Sequence, residues 1–179
     1  AEKRGIINKD TVIVEPTSGN QGIGLSLIGA VKGYKVCIIM PDSVSEERRK
    51  LIKAYGAELV LIHDAGDIGA CIEECLQTAL NMQKENKNVW VPQQFTNPAN
   101  PQVHRNSTAL EIIKQADRKI DGFCSGVGTG GTLTGIGEVL KEARKKKGKT
   151  QQEIADKAMV SRAYYADVER NRYTPSLKL

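Results

Sequence analysis

Long apolar runs are missing from this sequence. Its most hydrophobic stretches, such as Val36 to Met40, fall far short of the roughly 20 residues that span a bilayer, which excludes a helical membrane span. No apolar signal region follows the opening Ala1-Glu2-Lys3-Arg4, so no export signal is read and a cytoplasmic location is expected. The chain opens on Ala1 and not on Met, which suggests a fragment. Histidine is scarce, with only His63 and His104, and the four cysteines, Cys37, Cys71, Cys75 and Cys124, contain no CxxC pair. That excludes a disulfide framework and argues against any metal centre. Reduced, ordinary thiols are expected, with Cys71 and Cys75 one helical turn apart and facing the same way.

What remains is the composition of a globular protein: 179 residues, 40% hydrophobic and 26% charged, enough for one sizeable core or for a core and a small module. The net charge of +5 is unevenly placed. Residues 1–140 hold 15 Lys+Arg against 16 Asp+Glu, a balance of −1, whereas residues 141–179 hold 11 against 5, a balance of +6. The whole excess lies in the last 39 residues, the asymmetry expected of a basic nucleic-acid-binding segment beside a neutral domain.

From Thr11 onward, short β-branched runs alternate with amphipathic stretches of helical length. The pattern predicts strands at 11–15, 35–40, 58–62, 88–91 and 121–125, and helices near 20–33, 44–55, 67–86, 102–117 and 131–147. Strands that are apolar on both faces, as in Lys35-Val-Cys-Ile-Ile-Met40, belong to a parallel sheet covered by helices on each side. The fold class expected is therefore α/β. After Gly148 the strands stop, and two short helical segments follow, Thr150 to Ala158 and Ser161 to Arg170.

Two polar, glycine-rich turns lead from strand to helix. In Glu15-Pro-Thr-Ser-Gly-Asn-Gln-Gly22 the backbone N–H groups and hydroxyls converge on a helix N-terminus, which attracts anions. Ser125-Gly-Val-Gly-Thr-Gly-Gly-Thr132 does the same, and its glycines let the backbone wrap closely around a phosphate. Gly126, Gly128 and Gly131 also satisfy GxGxxG, but no second strand with an acidic residue follows, as a dinucleotide unit requires. No Gly-Lys-Ser/Thr closes either loop, which excludes a P-loop.

Four motifs in order, Glu15-Pro-Thr-Ser-Gly-Asn20, Pro41-Asp-Ser43, Gln93-Gln-Phe-Thr-Asn-Pro-Ala-Asn100 and Gly126-Val-Gly-Thr-Gly-Gly-Thr132, resemble the cysteine synthase (O-acetylserine sulfhydrylase) family over about residues 1–140. The resemblance implies a fragment of the fold-type II architecture of pyridoxal-phosphate (PLP) enzymes, with PLP as electron sink in a β-replacement that exchanges the acetate of O-acetylserine for sulfide. It implies that Asn20 bonds the PLP ring hydroxyl, that Gly128, Thr129, Gly130, Gly131 and Thr132 cradle its phosphate, and that Thr17, Ser18 and Gln94 hold the carboxylate of a small amino acid. It also implies a homodimer. Gln21 stands where the commonest motif has Thr, which leaves the preferred amino acid open, and cystathionine β-synthase chemistry with it. The family's Schiff-base lysine motif, of the Asn-Pro…Ser-Lys type, does not occur in these residues, so covalent attachment of PLP and catalysis by this chain alone are not expected.

Thr150-Gln-Gln-Glu-Ile-Ala-Asp-Lys-Ala158 with Val160-Ser-Arg-Ala-Tyr-Tyr-Ala-Asp-Val-Glu169 resembles the phage-repressor type of helix-turn-helix over 144–177. That resemblance implies a DNA partner, with Gln151 and Ser161 on phosphates and Arg162, Ala163 and Asp167 facing base edges in the major groove. The expected organisation is thus a PLP-domain fragment over 1–140 and a partial helix-turn-helix over 135–179, sharing one junction helix. The single apolar stripe of that helix, Leu133, Ile136, Leu140 and Ala143, cannot pack fully against a sheet and against the helices of 150–170 along the same length. A recombined sequence is the reading that follows.

Overall fold

The computed structural model describes residues 1–117, 120, 122–157, 159 and 161–169, with only the backbone of Tyr164 and of residues 167–169. The chain divides into two compact units, Ala1–Gln94 and Phe95–Leu179. The division falls inside the stretch that the sequence assigns to one domain.

The first unit is a four-stranded parallel sheet in the order β3-β2-β1-β4, built from β1 (Val12–Pro16), β2 (Lys35–Pro41), β3 (Glu58–Ile62) and β4 (Val89–Trp90). Helices α1 (Asn20–Lys32), α2 (Glu46–Ala54) and α3 (Ile68–Glu85) connect them. The period of two decides which face each side chain serves. On β2, Cys37 and Ile39 join Val14 of β1 and Cys71, Cys75 and Ala79 of α3. The alternate residues Val36, Ile38 and Met40 join Ile13 and Ile52 of α2. Both faces of β2 are buried, as its unbroken apolar run requires.

α1 lies close to the sheet because it is glycine at the contact points. A Cβ on Gly29 would stand 2.3 Å from Val36 Cγ2, and one on Gly22 would stand 2.8 Å from Thr17 Cγ2 and 3.0 Å from Ile38 Cγ2. α3 starts where Asp67 accepts the Ala70 N–H at 3.1 Å, satisfying one of the free donors of a first turn. Cys71 and Cys75 are buried side by side, as their spacing predicts, and burial pushes the Cys75 thiol up to about 12. Both therefore behave as small apolar residues.

The second unit is helical among its described residues: α4 (Ala99–Val103), a single π turn (His104–Thr108), α5 (Ala109–Gln115), α6 (Gly131–Lys146), α7 (Gln151–Lys157) and α8 (Arg162–Glu169). The helix expected at 102–117 thus begins at Ala99 and contains one wide turn. The strand expected at 121–125 is a correction, because residues 122–127 carry no strand. An apolar run supplies a face to bury, but a ladder needs a neighbour to receive its hydrogen bonds, and the described residues offer none there. Cys124 is exposed in consequence.

α6 crosses α4 on small residues. Cβ atoms on Gly131 and Gly135 would stand 2.1 Å from the Asn100 side chain and 2.3 Å from the Pro101 carbonyl oxygen. Arg105, from the π turn, pairs with Glu138 of α6. Of the apolar stripe of α6, Ile136 is buried. Leu133, Leu140 and Ala143 line a cavity of about 840 Å³ together with Ile113, Phe123 and Tyr165. α7 opens on a capping box: the Glu153 N–H donates to Thr150 Oγ1 at 3.1 Å, and the Thr150 N–H donates to Glu153 Oε2 at 2.7 Å. That backbone donor, with Lys149 and the Thr150 hydroxyl, holds the Glu153 carboxyl down at about 2. No described helix is long and apolar enough to cross a membrane.

Candidate functional site

In the first unit, β1 ends in the loop Thr17–Gly19 and α1 begins at Asn20. Thr17 remains in the ladder by donating its N–H to the Ile39 carbonyl at 2.9 Å, and its hydroxyl accepts the Gly19 N–H at 3.1 Å. Thr17 is buried, whereas Ser18 and Asn20 are exposed. No side chain caps α1, so no side chain satisfies the amides of its first turn, which suits an anion.

Gln94 comes to this loop from the far end of the unit. Its Nε2 donates to the Pro16 carbonyl at 2.9 Å, which lays the Gln94 side chain beside Thr17. The segment behind it is set by the residue that heads the first motif and has no role in the resemblance. Glu15 is fully buried near the end of β1, and its two carboxylate oxygens accept the N–H groups of Gln93 and Gln94, each at 2.9 Å. Burial pushes the Glu15 carboxyl up; the donors from Gln94 and Gln93 pull the other way, and the net direction is upward. A buried acid needs such partners. The available signal was an acidic residue closing the apolar run Val12-Ile-Val-Glu15.

In the second unit, the loop 125–130 leads into α6, and Gly130 takes φ 80°, in the left-handed region that favours glycine. Cβ atoms on Gly126, Gly128 and Gly130 would meet nothing within 4 Å, so the inner surface of this turn is open backbone. Thr129 Oγ1 accepts from Asn100 Nδ2 at 2.8 Å. Thr132 Oγ1 lies 3.2 Å from His104 Nε2, and His104 Nδ1 lies 3.1 Å from Thr108 Oγ1. Asn100 and His104 therefore fix the two threonines. Asn100 is the last residue of the third motif, Gln93 to Asn100, whereas His104 carried no signal in the sequence. Open amides at the start of α6, glycines without steric obstruction and two positioned hydroxyls make a donor set that fits a phosphate.

Of the residues expected on DNA, Gln151 is the first residue of α7 and half-buried, while Ser161, Arg162 and Ala163 are exposed at the start of α8. The side chain of Asp167 lies outside the described residues.

The family model "Pyridoxal-phosphate dependent enzyme" matches residues 1–177, a span that takes in α7 and α8. The chain is 49% identical over 142 residues to a cysteine synthase of Flavobacterium sp., covering 79% of this chain and 45% of that protein. It is 50% identical over 143 residues to a cysteine synthase of Staphylococcus aureus, covering 79% and 44%. Among solved structures it is similar to a hydrogen sulfide-producing enzyme of Fusobacterium nucleatum, at 48% identity and a TM-score of 0.74, over 80% of this chain and 46% of that one. It is also similar to a mutant O-ureido-L-serine synthase with O-ureido-L-serine bound, at 42% identity and a TM-score of 0.74, over 82% and 44%. The chain thus spans a little under half the length of these relatives.

Proposed function

This chain belongs to the pyridoxal-phosphate dependent enzymes, whose cofactor is PLP, and from that premise we propose that its 179 residues bind PLP and a small amino acid such as O-acetylserine. The observation that carries the reading is the turn entering α6. It combines glycines whose Cβ positions are open, Gly130 in the left-handed region, and Thr129 and Thr132 held by Asn100 and His104. In this reading Gly128, Thr129, Gly130, Gly131 and Thr132 hold the phosphate, and Asn20 bonds the ring hydroxyl. Thr17, Ser18 and Gln94 bind and orient the amino-acid carboxylate against the open first turn of α1. When bound, PLP supplies the electron sink for replacement at the β-carbon. No lysine of these residues stands in the family's Schiff-base motif, so these residues by themselves hold the cofactor without a covalent bond.

The test is cofactor binding by absorbance and by fluorescence quenching of Trp90. The wild-type chain is expected to bind PLP saturably, and borohydride treatment is expected to leave no PLP mass on any one lysine. Gly128→Asp places a carboxylate in the cradle and is expected to abolish phosphate-dependent binding, because like charges repel. Equal PLP binding by Gly128→Asp removes the cradle from the proposal.

A second reading concerns the C-terminal segment. Two short helices joined across residues 158–161, a charge of +6 over 141–179 and the exposed Arg162 favour a helix-turn-helix that contacts DNA. Under this reading Gln151 and Ser161 meet phosphates, and Arg162, Ala163 and Asp167 meet base edges. Titration with a duplex library is expected to show sequence-selective binding whose logarithm falls linearly with log salt. No binding at low salt eliminates this reading.

A further inference from the structure

We propose that Glu15 is the positioning residue of the carboxylate subsite, its side chain setting the backbone turn that presents Gln94 beside Thr17. The inference rests on the reading that Thr17, Ser18 and Gln94 hold an amino-acid carboxylate.

The geometry is a clamp. One oxygen of Glu15 accepts the Gln93 N–H and the other accepts the Gln94 N–H, both at 2.9 Å. Successive amides converge on one carboxylate only where the backbone between them is bent away from the extended form, and Gln93 takes φ 58°. That is the left-handed region, which costs a residue with a side chain of order 1 kcal/mol or more and persists only when its surroundings impose it. Two charge-assisted hydrogen bonds are such an imposition.

The clamp also joins two parts of the subsite that are 78 or 79 residues apart in the chain. Glu15 precedes Thr17 by two positions in the same ladder, where Glu15 pairs with Ile38 and Pro16 with Ile39. Gln94 is fixed twice to that strand, by its N–H to Glu15 and by its Nε2 to the Pro16 carbonyl. Thr17 and Gln94 are therefore referenced to one rigid element and not to each other across a loop. An acid this close to an anion subsite would ordinarily oppose binding. Here it lies fully buried with both oxygens occupied by the N–H donors of Gln93 and Gln94, so both are turned to backbone amides.

Glu15→Gln tests this, because glutamine keeps the shape but can accept only one of the two N–H groups and must turn its own NH₂ toward the other. The chain is titrated with O-acetyl-L-serine and, separately, with its methyl ester, which lacks the carboxylate charge. The wild type is expected to prefer the free acid, and Glu15→Gln is expected to reduce that preference about tenfold or more, with PLP affinity unchanged. A merely structural role would weaken both ligands and PLP alike. Hydrogen exchange in the wild type supplies a measurement that does not depend on the variant folding: the Gln93 and Gln94 amides are expected to exchange at least tenfold more slowly than the amide of the exposed Phe95. An unchanged acid preference in Glu15→Gln, or fast exchange at both amides in the wild type, overturns the role of Glu15 and leaves the carboxylate reading standing. A wild type that binds the ester as well as the acid overturns the carboxylate reading itself, and this inference with it.

Discussion

Replacing Gly135 by alanine is expected to destabilise the Phe95–Leu179 unit by about 2–3 kcal/mol, a clash with backbone outweighing the roughly 1 kcal/mol that alanine gains over glycine inside a helix. The added methyl would stand 2.3 Å from the Pro101 carbonyl oxygen and 2.7 Å from His104 Cβ. Neither is the far end of a flexible side chain, so α4 and α6 would have to separate. Because His104 also positions Thr132, PLP binding is expected to weaken with stability. Gly137→Ala is the internal control: its Cβ would meet nothing within 4 Å, so the same change two residues on is expected to stabilise α6 by about 0.5–1 kcal/mol. Urea unfolding of the two variants side by side reads the difference. Equal stabilities for both would mean that α4 does not approach α6 as closely as described.

Ile39→Ala is expected to cost about 2–5 kcal/mol, the range for removing a buried isoleucine that leaves a cavity. Ile39 is fully buried on β2 among Val14, Cys71 and Cys75, in the central part of the sheet, where no neighbour can relax into the space without breaking register. Its carbonyl receives the Thr17 N–H, so the substitution also loosens the strand end from which the loop Thr17–Gly19 departs. Val31→Ala, on the outer face of α1 with Val31 75% exposed, is expected to change stability by no more than about 0.5 kcal/mol. A loss below 1 kcal/mol at Ile39, read by denaturant midpoint, would contradict the two-sided burial of β2.

The sheet unit was legible because its signals are local and redundant. The apolar run Val36 to Met40, the alternation on either side and the glycines at helix ends predict β1 to β3 and α1 to α3 to within a few residues, and those elements are where the pattern puts them. Cys71 and Cys75 needed only the helical period to be placed on one buried face. The two polar, glycine-rich turns were legible for a related reason. Glycine, threonine and asparagine at a strand-to-helix junction are a chemical signature in the chain itself.

Elsewhere local pattern does not decide the structure. Residues 121–125 have the composition of a strand, yet the described residues 122–127 carry none, because strand formation depends on a neighbour that no local pattern supplies. The wide turn at His104–Thr108 and the roles of Asn100 and His104 follow from the close crossing of α4 and α6, which glycines at 131 and 135 permit but do not announce. The last segment shows the limit from the other side. Its helices lie near the predicted positions, α7 at Gln151–Lys157 and α8 at Arg162–Glu169, while helix positions alone do not say whether they contact DNA.

By itself, the sequence determined the alternation of strands and helices, the parallel two-sided sheet, the family and the loops that suit a phosphate and a carboxylate, because each of these is written in residue types at short spacing. Only the tertiary structure decided which residues hold those loops in place. Glu15 reaches Gln93 and Gln94, Asn100 reaches Thr129, and His104 reaches Thr132. Such pairings join positions that are tens of residues apart, and a hydrogen bond depends on where the packed elements bring two groups together, which short-range periodicity does not encode.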